Sequence, residues 1–177
     1  PVVSDTVHFP VLVFGHGFVM AYTSYATLRD SLISRGYIMA FPTTETGFSP
    51  SHLEFGKDIA FVSEQIQSSN ANAADLFYNR VATTTCVMGH SMGGGASFLS
   101  VPFFSGITAI ANLAAAETNP SAVTAASTLS IPSLLIAGGN DCITPAATNQ
   151  LLMYNAITNS CKNFVSINGA SHCQMGD

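Results

Sequence analysis

The sequence predicts one α/β domain built on a mostly parallel sheet with helices on both faces. Three observations carry this. Short apolar runs alternate with helix-length amphipathic stretches along the whole chain, the pattern of βαβ units. "VLVFGHG" is a short apolar run ending in glycines, as a strand covered on both faces should be, and "TTTCVMG" and "IPSLLIAGG" are further strand-like runs that end in glycine. Apolar residues make up 47% of the 177-residue chain and charged residues only 8%, against a usual charged share of about a quarter. That is a single domain, residues 1–177, with a real core and no disorder signature.

In chain order, residues 11–17 are the first strand. A helix follows over 22–35, with Tyr25, Leu28 and Leu32 on one face and Gly36 as its stop. "YIMAFP" (37–42) is the next strand, and a Thr-, Ser-, Gly- and Pro-rich loop (43–51) leads to a second helix. Its Phe55, Ile59, Val62 and Ile66 recur at helical spacing and form one apolar stripe. Residues 68–74 read as a surface turn, 83–89 as a strand, 92–100 as a helix and 107–114 as a strand. The clearest strand is 131–139. Thr144 as N-cap with Pro145 at the first position would open a helix to about Ile157. "NFVSING" (163–169) is the last strand.

Composition excludes several function classes. A net charge of −5 with five Lys and Arg is no footprint for nucleic acid and offers nothing to an anionic membrane surface. Residues 81–116 contain no Asp, Glu, Lys or Arg, long enough to raise a membrane span. Glycines 93 to 95, Pro102, Gly106 and many Ser and Thr break the run. It reads as strand, tight turn, helix and strand, so no stable membrane insertion is expected. The opening "PVVSDTV" has neither the basic nor the apolar region of a signal peptide. His and Cys lack zinc spacing, and "GHGFVM" lacks the third glycine and following acid of a dinucleotide fingerprint. No cofactor or metal is expected.

The chemistry concentrates in "GHSMGGG" (89–95). "GHSMG" fits G-x-S-x-G and lies between a predicted strand and a predicted helix, the setting this turn requires. Gly89 and Gly93 flank Ser91 where the turn presses its neighbours together, and Gly94 and Gly95 let the following helix pack close. A serine hydroxyl needs a base, and the base needs an orienting acid. Asp141 stands just past the clearest strand and His172 just past the last, in the chain order Ser, Asp, His expected for such a sheet. The backbone N–H groups of Met92 and Phe18 are the candidate oxyanion donors. Phe18, His16 and Glu117 are candidate substrate contacts.

Other readings weigh against some of these residues. Glu117 is the rival acid, though a loop residue at the site mouth fits it better. Asp141 could instead cap the helix at 145. His90 should point away from the serine, His16 should shape the oxyanion loop, and His8 and His52 should be exposed. Phe103 and Phe104 read as core.

With "VFGHGF", "GHSMGGG", "IPSLLIAGGNDCITP" and "GASH" in place, the chain resembles the α/β-hydrolase superfamily. It is most similar to the secreted esterase, cutinase and polyester-hydrolase group and to the dienelactone-hydrolase or chlorophyllase-like group. The resemblance implies ester hydrolysis through an acyl-enzyme, on a small-molecule or polymeric ester, without cofactor, by a monomer. Dienelactone hydrolases proper use cysteine where this chain has Ser91, which favours the esterase side. Amide or thioester cleavage, perhydrolysis on the same triad, and a non-catalytic binding protein of the same fold are the alternatives.

The sequence departs from the superfamily in two ways. Members carry a helix after the histidine loop and often two strands before the first one visible here. This sequence ends five residues past His172, so it reads as a minimal version of the fold or a piece of a longer chain. There is also no Trp, so the tryptophan-lined clamp of many polyester hydrolases is missing and Phe18 could form only part of such a platform. Of the four cysteines, Cys86 reads as a buried free thiol, and a Cys142–Cys161 bridge would staple the helix between them. Cys173 would then pair with a cysteine downstream, if there is one. Few charges and several cysteines point to an oxidising, extracellular setting.

Overall fold

A computed structural model describes residues 7–177. Among them, the strands β1 (Phe9–Gly15), β2 (Ile38–Ala40), β3 (Val81–His90), β4 (Ile107–Leu113), β5 (Ser133–Gly138) and β6 (Lys162–Ile167) form one parallel sheet. Its order is β2-β1-β3-β4-β5-β6. The helices are α1 (Ala26–Ile33), α2 (His52–Ser69), α3 (Met92–Ser100), α4 (Ala122–Ala126) and α5 (Gln150–Ala156).

The strand order dictates where the helices go. The chain leaves β1 toward one edge, builds α1 and β2 there, then crosses back with α2 to β3 and winds steadily the other way. Right-handed crossovers in opposite directions put helices on opposite faces. On one face α2, α3, α4 and α5 cover a single core that includes Val11, Val13, Phe55, Ile59, Ala96, Phe98, Ile110, Leu135, Met153 and Ile157. On the other, Phe14 packs on Tyr25, at the start of α1, and on Phe41, with ring centroids 4.6 and 5.6 Å apart. That second face is thinly covered toward the β6 edge, where Val165 and Ile167 stay 44% and 45% exposed.

Most elements fall where the apolar pattern places them. The expected stripe of α2 is real: Phe55 and Ile59 are fully buried, and Val62 and Ile66 pack against the core. Ser51 caps this helix by accepting the Glu54 N–H at 3.2 Å. The helix expected over 22–35 begins instead as a 3-10 turn (Tyr22–Tyr25) before α1, and Gly36 ends it at φ +89°. The five-residue α4, which the sequence reading leaves as loop, is capped by Ser121 accepting from Thr124 N–H at 3.0 Å.

Two expectations need correction. Thr144 does not cap a helix at Pro145. Pro145 is extended (ψ 133°), a 3-10 turn occupies Ala146–Thr148, and α5 starts only at Gln150. The Thr144 side chain is engaged elsewhere, with Asp141, and is unavailable as a cap. Nor are Cys142 and Cys161 bridged; both are exposed free thiols, like Cys173. Cys161 sits beside the start of β5, where its carbonyl accepts from Ser133 N–H, whereas Cys142 follows the far end of that strand. Six residues of strand span about 20 Å, and a disulfide needs Cα atoms within about 7 Å. Cys86 in β3 is a free, half-buried thiol, its pKa pushed up to about 12 by burial.

Candidate active site

The strands β1 and β3 are neighbours whose continuations leave in opposite directions, so a crevice opens between their carboxyl ends. Such switch points are where open α/β sheets hold ligands. The register pairs Gly15 with Gly89 there, immediately before the two loops that carry the candidate residues.

Ser91 joins β3 to α3 with φ +54° and ψ −118°. A non-glycine residue at such angles costs on the order of 1–3 kcal/mol and persists only where its surroundings hold it. Here the Ser91 N–H donates to the Leu113 carbonyl at 3.1 Å, and its own carbonyl accepts from Ala116 and Gly95 at 2.8 and 3.1 Å. The turn closes so tightly that a Cβ on Gly89 would strike the Gly93 backbone, and one on Gly93 would strike the Gly15 carbonyl. Only glycine fits either place. Gly94 and Gly95 face Ala115, Ala116 and Thr118, so what they admit is the loop after β4.

Past the end of β5, Asp141 is buried and fully engaged. Its Oδ1 accepts the backbone N–H groups of Ile143 (2.9 Å) and Thr144 (2.8 Å). Its Oδ2 lies 2.7 Å from His172 Nδ1 and 2.9 Å from Thr144 Oγ1. Burial pushes the carboxyl pKa up. The bonds from His172, Thr144 and Ile143 together outweigh it and hold Asp141 below the ordinary carboxylate value. With Nδ1 on the carboxylate, Nε2 of His172 is the nitrogen left to exchange a proton. His172 opens a short 3-10 turn whose capping box, between Ser171 and Gln174, fixes the backbone. No hydrogen bond joins Ser91 Oγ to His172 among the described residues; such contacts often close only with substrate in place.

The loop after β1 is held from below. Both ring nitrogens of His16, itself 2% exposed, lie 2.8 Å from carbonyl oxygens, of Gly17 and of Thr44. That is the loop-shaping position the sequence suggests, and it leaves the ring little surface for a substrate. The Gly17 carbonyl also accepts Met20 N–H at 3.0 Å. Since a trans peptide sets its N–H opposite its C=O, the Phe18 N–H points away from these partners. The Phe18 side chain is half exposed and meets Phe48 edge-on, ring centroids 6.5 Å apart. Phe48 is 86% exposed. It rides on a loop tied down by Thr44 Oγ1 on Asp58 and by Ser51 N–H on Glu45, both at 2.5 Å.

The remaining candidates are placed as follows. Glu117 is exposed, and its Oε2 accepts Val123 N–H at 3.0 Å at the start of α4. It does not approach His172 as a rival acid. His8 is exposed, whereas His52 is half-buried and its Nδ1 accepts from Asn119 N–H at 3.2 Å. His90 is 1% exposed, with its ring 4.7 Å from that of His172. Four residues of the site escape sequence reasoning: Thr144, Phe48, Tyr25 and the inward role of His90. Only Thr144 carried a usable signal, since an Asp followed three residues later by Thr reads as a turn in which the Asp side chain caps the backbone.

The parallel sheet, the strained serine turn and the Asp–His pair at neighbouring strand ends define the α/β-hydrolase fold, the architecture of many ester hydrolases. The sequence matches the PETase family, described as PET hydrolase-like, over residues 3–176, and the chain belongs to that family. No curated protein matches it.

Proposed function

We propose that this protein is a serine hydrolase that cleaves carboxylic esters, polyesters among them, through an acyl-enzyme. The observation that carries the reading is the buried Asp141–His172 bond of 2.7 Å at the same sheet end as the strained Ser91 turn. Ser91 Oγ attacks the ester carbonyl while His172 Nε2 takes its proton. Asp141 keeps the proton of the neutral ring on Nδ1 and stabilises the imidazolium that forms. The N–H groups of Phe18 and Met92 receive the developing oxyanion. His172 then protonates the leaving alcohol, and a water activated by the same ring hydrolyses the acyl-serine.

Membership of a polyester-hydrolase family favours a polymeric substrate. The exposed Phe18–Phe48 pair suits a flat apolar acyl group at the mouth, and takes the place of a tryptophan clamp. We place the enzyme outside the cell, where such polymers are met; among the described residues no helix is long and apolar enough to cross a membrane.

Hydrolysis of p-nitrophenyl esters from acetate to palmitate by wild type and Ser91→Ala tests the reading. Turnover lost by at least about 10³-fold in the variant supports it. Equal rates for the two proteins overturn it.

A further inference from the structure

Tyr25 is fully buried, and a buried phenol must spend its hydroxyl on a partner. It has three neighbours. Gly17 N–H donates to Tyr25 Oη at 2.8 Å, His90 Nδ1 lies 3.0 Å away, and Met20 Sδ 3.3 Å away. The hydroxyl has one proton to give. With the His90 proton on Nε2 the hydroxyl donates to Nδ1, the better acceptor; with it on Nδ1 the ring donates to Oη and the hydroxyl turns to Met20 Sδ. Either way one hydrogen bond joins Tyr25 Oη to His90 Nδ1, and it is the His90 ring's one hydrogen bond among the described residues, since Nε2 has no partner there. The His90 ring in turn lies against the His172 ring, centroids 4.7 Å apart and planes at 40°. One side chain thus touches the loop that offers the Phe18 N–H and, through a single ring, the imidazole that moves the proton. Gly17 leaves room for this: a Cβ there would lie 2.7 Å from Met20 Sδ and 3.2 Å from Tyr25 Oη.

We infer that Tyr25 is a positioning residue that couples the oxyanion loop to the catalytic imidazole through His90. The inference rests on the ester-hydrolase reading above. Its hydroxyl fixes the peptide preceding Gly17 and so helps aim the next one, which carries the Phe18 N–H. Through His90 it sets the ring against which His172 becomes charged. Burial, then the His172 charge, hold the His90 pKa down at about 4, so the ring stays neutral while His172 cycles. Both effects matter most when the oxyanion and imidazolium exist together, which is in the transition state.

Tyr25→Phe tests this, because it keeps the buried ring and deletes only the hydroxyl. With p-nitrophenyl butyrate, kcat is expected to fall 10- to 100-fold with KM within about twofold, the signature of an interaction made only in the transition state. In ¹⁵N NMR spectra the Gly17 and Phe18 amides and the ring nitrogens of His90 and His172 are expected to shift, while amides of α2 and β5 stay in place. A loss of kcat below twofold, or a KM that rises as kcat falls, overturns the inference. So do unmoved His172 ring signals, and that reading needs no activity. Failure of the ester-hydrolase reading shows separately, as a Ser91→Ala protein that matches wild type.

Discussion

His90 makes an acid-stability prediction that can be worked through from its surroundings. The ring is 1% exposed. Burial, followed by the nearby His172 charge, lowers its pKa from 6.5 to about 4, with the His172 backbone and the Asp141 carboxylate pulling weakly the other way. Between those two values the unfolded chain binds a proton that the folded chain refuses. Folding stability therefore falls as pH falls from about 6.5 to about 4, and this contribution is flat outside that window. The gap of about 2.5 pH units, at 1.36 kcal/mol each, amounts to roughly 3 kcal/mol, a large part of the 5–15 kcal/mol typical of a domain. Asp141 acts in a separate window. Its depressed pKa contributes stability above the ordinary carboxylate value, lost only as pH falls further. The assay is urea unfolding of wild type and His90→Gln from pH 7.5 to 4, followed by far-UV circular dichroism because the chain has no Trp. Gln keeps an acceptor for Tyr25 but cannot titrate. The wild-type curve should lose about 1.4 kcal/mol per pH unit more than the variant inside the window. Parallel curves, within about 0.5 kcal/mol across it, would mean that the buried His90 ring takes up its proton as readily in the folded chain as in the unfolded one.

Other substitutions separate the parts of the site. Asp141→Asn should lower kcat by about 10³–10⁴-fold with KM little changed, because the amide can hold the wrong imidazole tautomer; steady-state kinetics at pH 8 decide. Thr144→Val keeps the N–H to Asp141 Oδ1 but removes the hydroxyl beside Oδ2. It should cost about 1–2 kcal/mol in urea melts and lower kcat about tenfold. Phe48→Ala, at an 86% exposed position, should leave stability within about 0.5 kcal/mol. It should raise KM for an aryl ester about three- to tenfold, the worth of one edge-on aromatic contact, with little effect on acetate esters. Gly93→Ala must push a methyl into the Gly15 carbonyl and should cost on the order of 3 kcal/mol or more, seen as loss of soluble folded protein.

What the sequence revealed and what it hid divide along physical lines. Strands β1 and β5 and helix α2 were legible because each is an apolar run or stripe whose burial dominates its energy, and β3, β4 and α3 because the serine turn and the alternation of strand and helix place them. The serine turn was legible because Gly89 and Gly93 are demanded by local sterics that involve few residues. Thr144 misleads because its cap-like position before Pro145 is a local signal, while its real partner, Asp141, competes for the hydroxyl. The Cys142–Cys161 bridge failed for a related reason: flanking one helix says nothing of which strand ends the two residues meet. Tyr25 and His90 stand 65 residues apart in sequence yet 3.0 Å apart in space, and no local pattern announces such a pair. Phe48 sits in a loop whose composition predicts only a turn, and its meeting with Phe18 depends on the His16–Thr44 and Ser51–Glu45 anchors.

The central claim is that Ser91, activated by His172, is the nucleophile. The most direct measurement is reaction with a p-nitrophenyl alkylphosphonate, which phosphonylates an activated serine and expels p-nitrophenolate, followed by peptide mass mapping. One adduct per chain is expected, on Ser91, with labelling abolished in Ser91→Ala and slowed at least about 10²-fold in His172→Ala. An adduct on another residue, or labelling of Ser91 at the same rate without His172, would contradict it.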